Sequence, residues 1–222
     1  NKNILIAAHC FMDAPHVYGD MIFNDFFDWL TFLGKITTKK KYDKNINWYI
    51  KVHPSLYDRN IKIFQRFIEK FPKFKLVDKF ETHNFLINNI GIDAVLTVYG
   101  SIAHEYPLFN IPVLNAGINP HMGYKFSITP KSKLDYENFI DNLLSKNKKM
   151  KIQKKQIYEF YAMHHLIDYD FFESLNIVYD QKLSNKINVL CEYIKKTNLK
   201  KHNNMIRIYE KFINSKSRRL TS

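Results

Sequence analysis

A small set of residues in this chain has the types and spacing to grip a phosphorylated ligand. His53-Pro54 closes the apolar run Trp48-Tyr49-Ile50-Lys51-Val52, and Gly100-Ser101 closes Val95-Leu96-Thr97-Val98-Tyr99. An imidazole N–H can donate to a phosphate oxygen, while Pro54 has no N–H and ends strand pairing. Gly100 permits a sharp turn and close ligand approach. The Ser101 hydroxyl can cap the helix that follows or reach the same phosphate. Glu105, one helical turn on, can accept hydrogen bonds from ribose hydroxyls. The plainer readings are a strand-end His53 packed on Tyr57 or Trp48, and an ordinary cap with Glu105 complementing the helix dipole.

Other polar residues sit where loops should face the same cleft. His9, Asp13 and His16 follow the first apolar run and could supply a general base or orient an acceptor hydroxyl. A loop held by an Asp13 turn and Pro15 is the alternative. Asn115 to Tyr124 follows the fifth run and carries Asn119 and His121 between Gly117 and Gly123. His164 and His165 are adjacent on a helical pattern and do not share a face, so they make a poor chelating pair. No spacing matches a zinc site, and no metal or other cofactor is expected.

The elements that must position these groups alternate. Ile4–Ala8, Trp48–Val52, Phe74–Val77, Ala94–Val98 and Pro112–Leu114 read as short buried strands. Between them lie helical stripes: Phe23, Phe26, Phe27, Leu30 and Leu33; then Ile61, Phe64, Phe67, Ile68 and Phe71, stopped by Pro72. Phe85, Leu86 and Ile90 mark a helix ending at Gly91, a plausible C′ glycine. Alternating strands and helices predict an α/β fold: a doubly wound parallel sheet with its ligand at the strands' carboxyl ends. Strand signals stop after Leu134. Helices are expected around Phe139–Leu144, Ile157–Ile167 and 183–214, and a frayed basic tail over 215–222.

Composition bounds the function classes. The 222 residues carry a net charge of +13, 45% hydrophobic and 15% aromatic residues, typical of a globular protein. The basic excess suits phosphate-rich ligands, an anionic membrane surface or nucleic acid, and equally the solvated faces of helices. No Arg-Gly repeat or recognition-helix pattern is present, so nucleic acid is not expected as a partner. Neither a membrane-spanning apolar run nor a secretory signal is evident. The two cysteines, Cys10 and Cys191, are too few for a disulfide framework and are expected to be reduced, which favours the cytosol. The chain opens at Asn1 rather than Met, as a piece of a longer protein would.

His53-Pro54 together with Thr97-Val98-Tyr99-Gly100-Ser101-Ile102-Ala103-His104-Glu105-Tyr106-Pro107-Leu108-Phe109-Asn110-Ile111-Pro112-Val113 resembles the nucleotide-binding half of GT-B glycosyltransferases. The closest likeness is to bacterial capsule and lipopolysaccharide biosynthesis enzymes, including transferases that use CMP-activated acidic sugars. The chain is more distantly similar to CDP-glycerol glycerophosphotransferases. The likeness covers roughly residues 45–145. It implies a Rossmann-like donor domain over 1–150, a helical extension packed on it over 151–214, and the tail over 215–222.

Carried over from such enzymes, His53 and Ser101 hold the donor phosphate and Glu105 binds the ribose. This chain has Gly100 where some relatives have a second serine. The loop holding Asn119 and His121 lies beside the transferred group in these families. The implied activity is metal-independent transfer of a sugar from a nucleotide donor to a polysaccharide or lipid-linked acceptor. Asp13 and His9 are the candidates for catalysis, and His16, Asn119 and His121 for sugar or acceptor contacts. A complete GT-B enzyme has two such domains, so the acceptor half is expected to be missing, and the resemblance leaves the base either in this chain or in that half. The implied location is cytoplasmic, peripheral at the inner face of the membrane. The alternatives are a CDP-glycerol-type phosphotransferase, or a non-catalytic nucleotide- or membrane-binding module.

Overall fold

Five apolar runs become strands β1 Lys2–Ala7, β2 Ile46–Lys51, β3 Phe74–Leu76, β4 Ala94–Thr97 and β5 Val113–Asn115. The computed structural model describes residues 1–42, 46–55, 57–144 and 152–165. All strand pairs are parallel and the order across the sheet is β3-β2-β1-β4-β5. The chain therefore builds outward from β1 to β3, then returns to place β4 on the other side of β1. The fold is α/β, as the alternation of elements predicted.

Alternating strand residues feed two apolar clusters, as a period of two requires. Ile4, Ile6, Trp48, Ile50 and Leu96 join Trp29, Leu30, Leu33, Phe64 and Phe67 in one. Leu5, Val95 and Val113 join Leu86, Ile102, Ala103 and Tyr106 in the other. Burying apolar side chains on both sides of β1 and β4 explains why these runs are nearly continuous rather than alternating with polar residues.

Helix α1, Phe26–Thr37, starts later than the apolar stripe suggested. Asp25 caps it, its carboxylate accepting the Asp28 N–H at 2.6 Å. Met21 is instead bridged antiparallel to Gly117, so residues before the cap belong to a loop. Phe26 and Trp29 are buried, whereas Phe27, expected in the stripe, is 53% exposed. Helix α2, Tyr57–Lys70, ends just before Phe71-Pro72. A short α3, His83–Phe85, continues as a π turn over Leu86–Ile90. That turn ends at Gly91, in the left-handed conformation (φ 72°) expected of a C′ glycine.

The helix expected after Gly100-Ser101 is short: α4 spans Ile102–Glu105 and passes into a 3₁₀ turn, Tyr106–Phe109. Helices α5, Lys133–Leu144, and α6, Lys154–His165, follow β5. Residues Asn1–Ile157 form one compact unit and Tyr158–Ser222 a second, described only to residue 165. The helices expected over 183–214 and the tail over 215–222 lie outside the described residues. No described helix is long and apolar enough to cross a membrane.

Candidate functional site

A parallel sheet whose strand order reverses leaves a crevice at its carboxyl edge where the crossover connections diverge. Here the reversal lies between β1 and β4. A cavity of about 350 Å³ occupies that edge, and His9, His53, Pro54, Gly100, Ser101 and Glu105 all line it. Small-molecule sites run from roughly 300 to 1,000 Å³. Residues from the loops after β1, β2 and β4 thus meet around one space.

Register explains the floor. Ala7 pairs with Lys51, and Thr97 follows Leu96, the partner of Ile6. Lys51, Ala7 and Thr97 therefore form one row across three strands, and all line the cavity. They share the parity of Leu5 and Val95, so the row faces the side that α3 and α4 cover. The small Ala7 side chain between two longer ones leaves the notch.

His53 is exposed, and its Nδ1 accepts the Ser55 N–H at 3.2 Å. In the neutral ring that bond leaves the proton on Nε2, a donor for an anion. Ser101 is exposed too, and its hydroxyl makes no cap bond; its backbone is already helical, with φ −56° and ψ −27°. The expectation that Ser101 caps the helix is therefore not met, because a cap serine needs extended backbone to fold its hydroxyl onto the first turn. The first backbone bond of the turn is Ala103 N–H to Gly100 O at 3.0 Å, with the Ser101 and Ile102 amides ahead of it.

His9 lines the cavity but is largely buried. Its Nε2 accepts the Tyr99 N–H at 3.3 Å and lies 3.3 Å from the Thr97 hydroxyl. Its ring stacks on Phe26 at 5.0 Å. Burial, and then the neighbouring His53, pull its pKa down from 6.5 to about 4, so it is neutral at physiological pH. With Nε2 engaged, the ring has the geometry of a positioning residue.

Lys51 and His83 were given no role by the sequence, yet both line the cavity. The Lys51 ammonium donates to the Glu81 carbonyl at 2.6 Å. Burial lowers its pKa, with Glu81 and Asp78 opposing. His83 Nδ1 lies 2.9 Å from the buried Tyr106 hydroxyl, and its pKa is lowered by burial and by Lys51 while Glu105 opposes. The cue for Lys51 was its position as the last residue of β2, two residues before His53, where the strand's carboxyl end meets the cavity.

The remaining candidates do not line this cavity. Asp13 is exposed on the loop after β1, its N–H bonded to Cys10 O, and its charge reaches Tyr99. Tyr99 in turn donates its hydroxyl to Ala14 O at 2.7 Å. His16 works within its own loop: Nδ1 accepts the Met21 N–H at 3.2 Å and Nε2 donates to Asn24 O at 3.1 Å. Buried Asn60 from α2 holds the same loop, accepting the Phe11 N–H at 3.1 Å.

Asn119 and His121 are buried rather than aimed at the cavity. Asn119 donates to Gly117 O and Thr129 Oγ1 and accepts the His121 N–H. A second cavity of about 390 Å³ lies between the loops after β1 and β5, lined by Asp20, Met21, Gly117, Ile118, Met122 and Lys131 among others. Among the described residues, no group of three or more His, Cys, Asp or Glu side chains is placed to hold a metal ion. Comparison of the chain with protein-family models and with curated proteins finds no match.

Proposed function

We propose that this chain is the nucleotide-donor half of a GT-B glycosyltransferase of surface polysaccharide assembly, its sheet doubly wound, with a CMP-linked acidic sugar as donor. One observation carries the reading: His53, Gly100, Ser101 and Glu105, from two separate strand ends, line one cavity at the point where the strand order reverses.

In this reading the donor phosphate lies against His53 Nε2, the Ser101 hydroxyl and the amides of Ser101 and Ile102. The two amides are held by the turn and the His53 ring by its bond to the Ser55 N–H, so they stabilise charge as it develops on the departing nucleotide phosphate. Glu105 accepts hydrogen bonds from the ribose. The acceptor hydroxyl loses its proton to a carboxylate, either Asp13 on the loop after β1 or a base in the acceptor half. The acceptor is a polysaccharide or lipid-linked chain, and the basic surface docks the protein on the anionic inner leaflet.

Nucleotide release from a CMP-linked acidic sugar and from CDP-glycerol tests the activity. CMP release from the sugar donor, lost in His53→Ala and Ser101→Ala, supports the reading. Release from CDP-glycerol alone makes the protein a phosphotransferase. Turnover of neither donor in the presence of acceptor, with wild-type rates in both variants for any other nucleotide substrate, contradicts it.

A further inference from the structure

Among the described residues lining the cavity below the turn after β4, Lys51 is the one lysine or arginine. His9 and His83 are both biased toward the neutral ring, and Glu105 is the one acid. Lys51 is half-buried, yet its ammonium donates to the neutral carbonyl of Glu81; the Glu81 and Asp78 charges reach it only from beyond ion-pair distance, and burial outweighs them. A partly desolvated ammonium is costly unless an anion meets it. Lys51 and the small Ala7 side chain line the same cavity, in one row across the sheet.

We propose that Lys51 is the charged anchor for the ligand's phosphate, with the Ala7 notch as the seat that brings the anion to it. The proposal rests on the nucleotide reading above and adds to it the residue that supplies charge. His53 and Ser101 then act as hydrogen-bond donors that orient the phosphate. The Glu81 carbonyl holds the ammonium in place, which cuts the side-chain entropy lost on binding. His83 lines the same cavity, its ring held by the Tyr106 hydroxyl.

Titration calorimetry with CMP, and separately with inorganic phosphate, tests this on the full chain. Lys51→Gln keeps a donor for the Glu81 carbonyl and removes the charge, and Lys51→Arg keeps the charge. Thermal denaturation shows that each variant is folded. The expected result is a loss of CMP affinity on the order of tenfold or more in Lys51→Gln, with most of it retained in Lys51→Arg. Raising the salt should weaken wild-type binding more than Lys51→Gln binding. Wild-type affinity and salt dependence in Lys51→Gln overturn the anchor and leave the nucleotide reading intact. Failure of the wild-type chain to bind either probe removes both.

Discussion

The Tyr99 amide donates to His9 Nε2 at 3.3 Å, tying the loop after β1 to the turn that presents Gly100 and Ser101. The Thr97 hydroxyl approaches the same nitrogen, and the Phe26 ring supports the imidazole from one face. His9→Ala removes the acceptor and leaves a gap beside Phe26. We expect a loss of about 1–3 kcal/mol, the cost of an orphaned buried donor. In thermal denaturation that is a fall of roughly 2–4 °C per kcal/mol for a chain of this size. His9→Asn, which can supply an acceptor, should recover part of it.

The same residue predicts a pH dependence. The folded state holds His9 neutral down to about pH 4, while the unfolded chain protonates it near 6.5. Between those values the unfolded state binds more protons, so stability rises with pH. The His9 contribution is complete above pH 6.5 and is lost as pH falls toward 4, by on the order of 3 kcal/mol. Urea denaturation at successive pH values should show this slope, and His9→Asn should flatten it. A wild-type profile flat from pH 6.5 to 4.5 would exclude the buried neutral ring.

Ser101 separates a ligand-binding turn from an ordinary helix start. A capping serine costs about 1 kcal/mol when replaced by alanine. Because the Ser101 hydroxyl makes no cap bond, Ser101→Ala should leave the melting temperature within about 1 °C of wild type, as neutral surface changes do. Its affinity for CMP should nevertheless drop. A variant that loses stability while binding CMP normally would return Ser101 to the role of a cap.

Away from the cavity, the buried Trp29 indole donates to the Tyr136 hydroxyl at 3.0 Å, joining α1 to α5. Burial pushes the Tyr136 pKa up, so the hydroxyl stays protonated. Tyr136→Phe orphans the indole N–H and should cost about 1–3 kcal/mol. CMP affinity, measured at a temperature where the variant is folded, should not change. This variant is the control for general destabilisation.

Much of this architecture is legible in the sequence. Each strand announced itself as a short apolar run, and Pro72 and Gly91 marked where helices stop. The start of α1 was misjudged because Met21 and Phe23 are apolar at helical spacing but are buried by a loop that bridges to Gly117. Such long-range pairing leaves no local trace. The same blindness hid His83, which reaches the cavity only because α3 and α4 cover one face of the sheet. It also misplaced His16, Asn119 and His121: polar groups on loops look like ligand contacts, but here their bonds go to backbone and neighbouring loop residues. Convergence of His53 with Gly100 and Ser101 was legible because strands joined through helices run parallel, which puts all their carboxyl ends on one edge.

The most direct test is a crystal structure of the chain soaked with CMP. The account predicts the phosphate within about 2.6–3.2 Å of both His53 Nε2 and Ser101 Oγ, with the ribose beside Glu105. CMP bound elsewhere with the carboxyl-edge cavity vacant, or a phosphate touching neither residue, would contradict it.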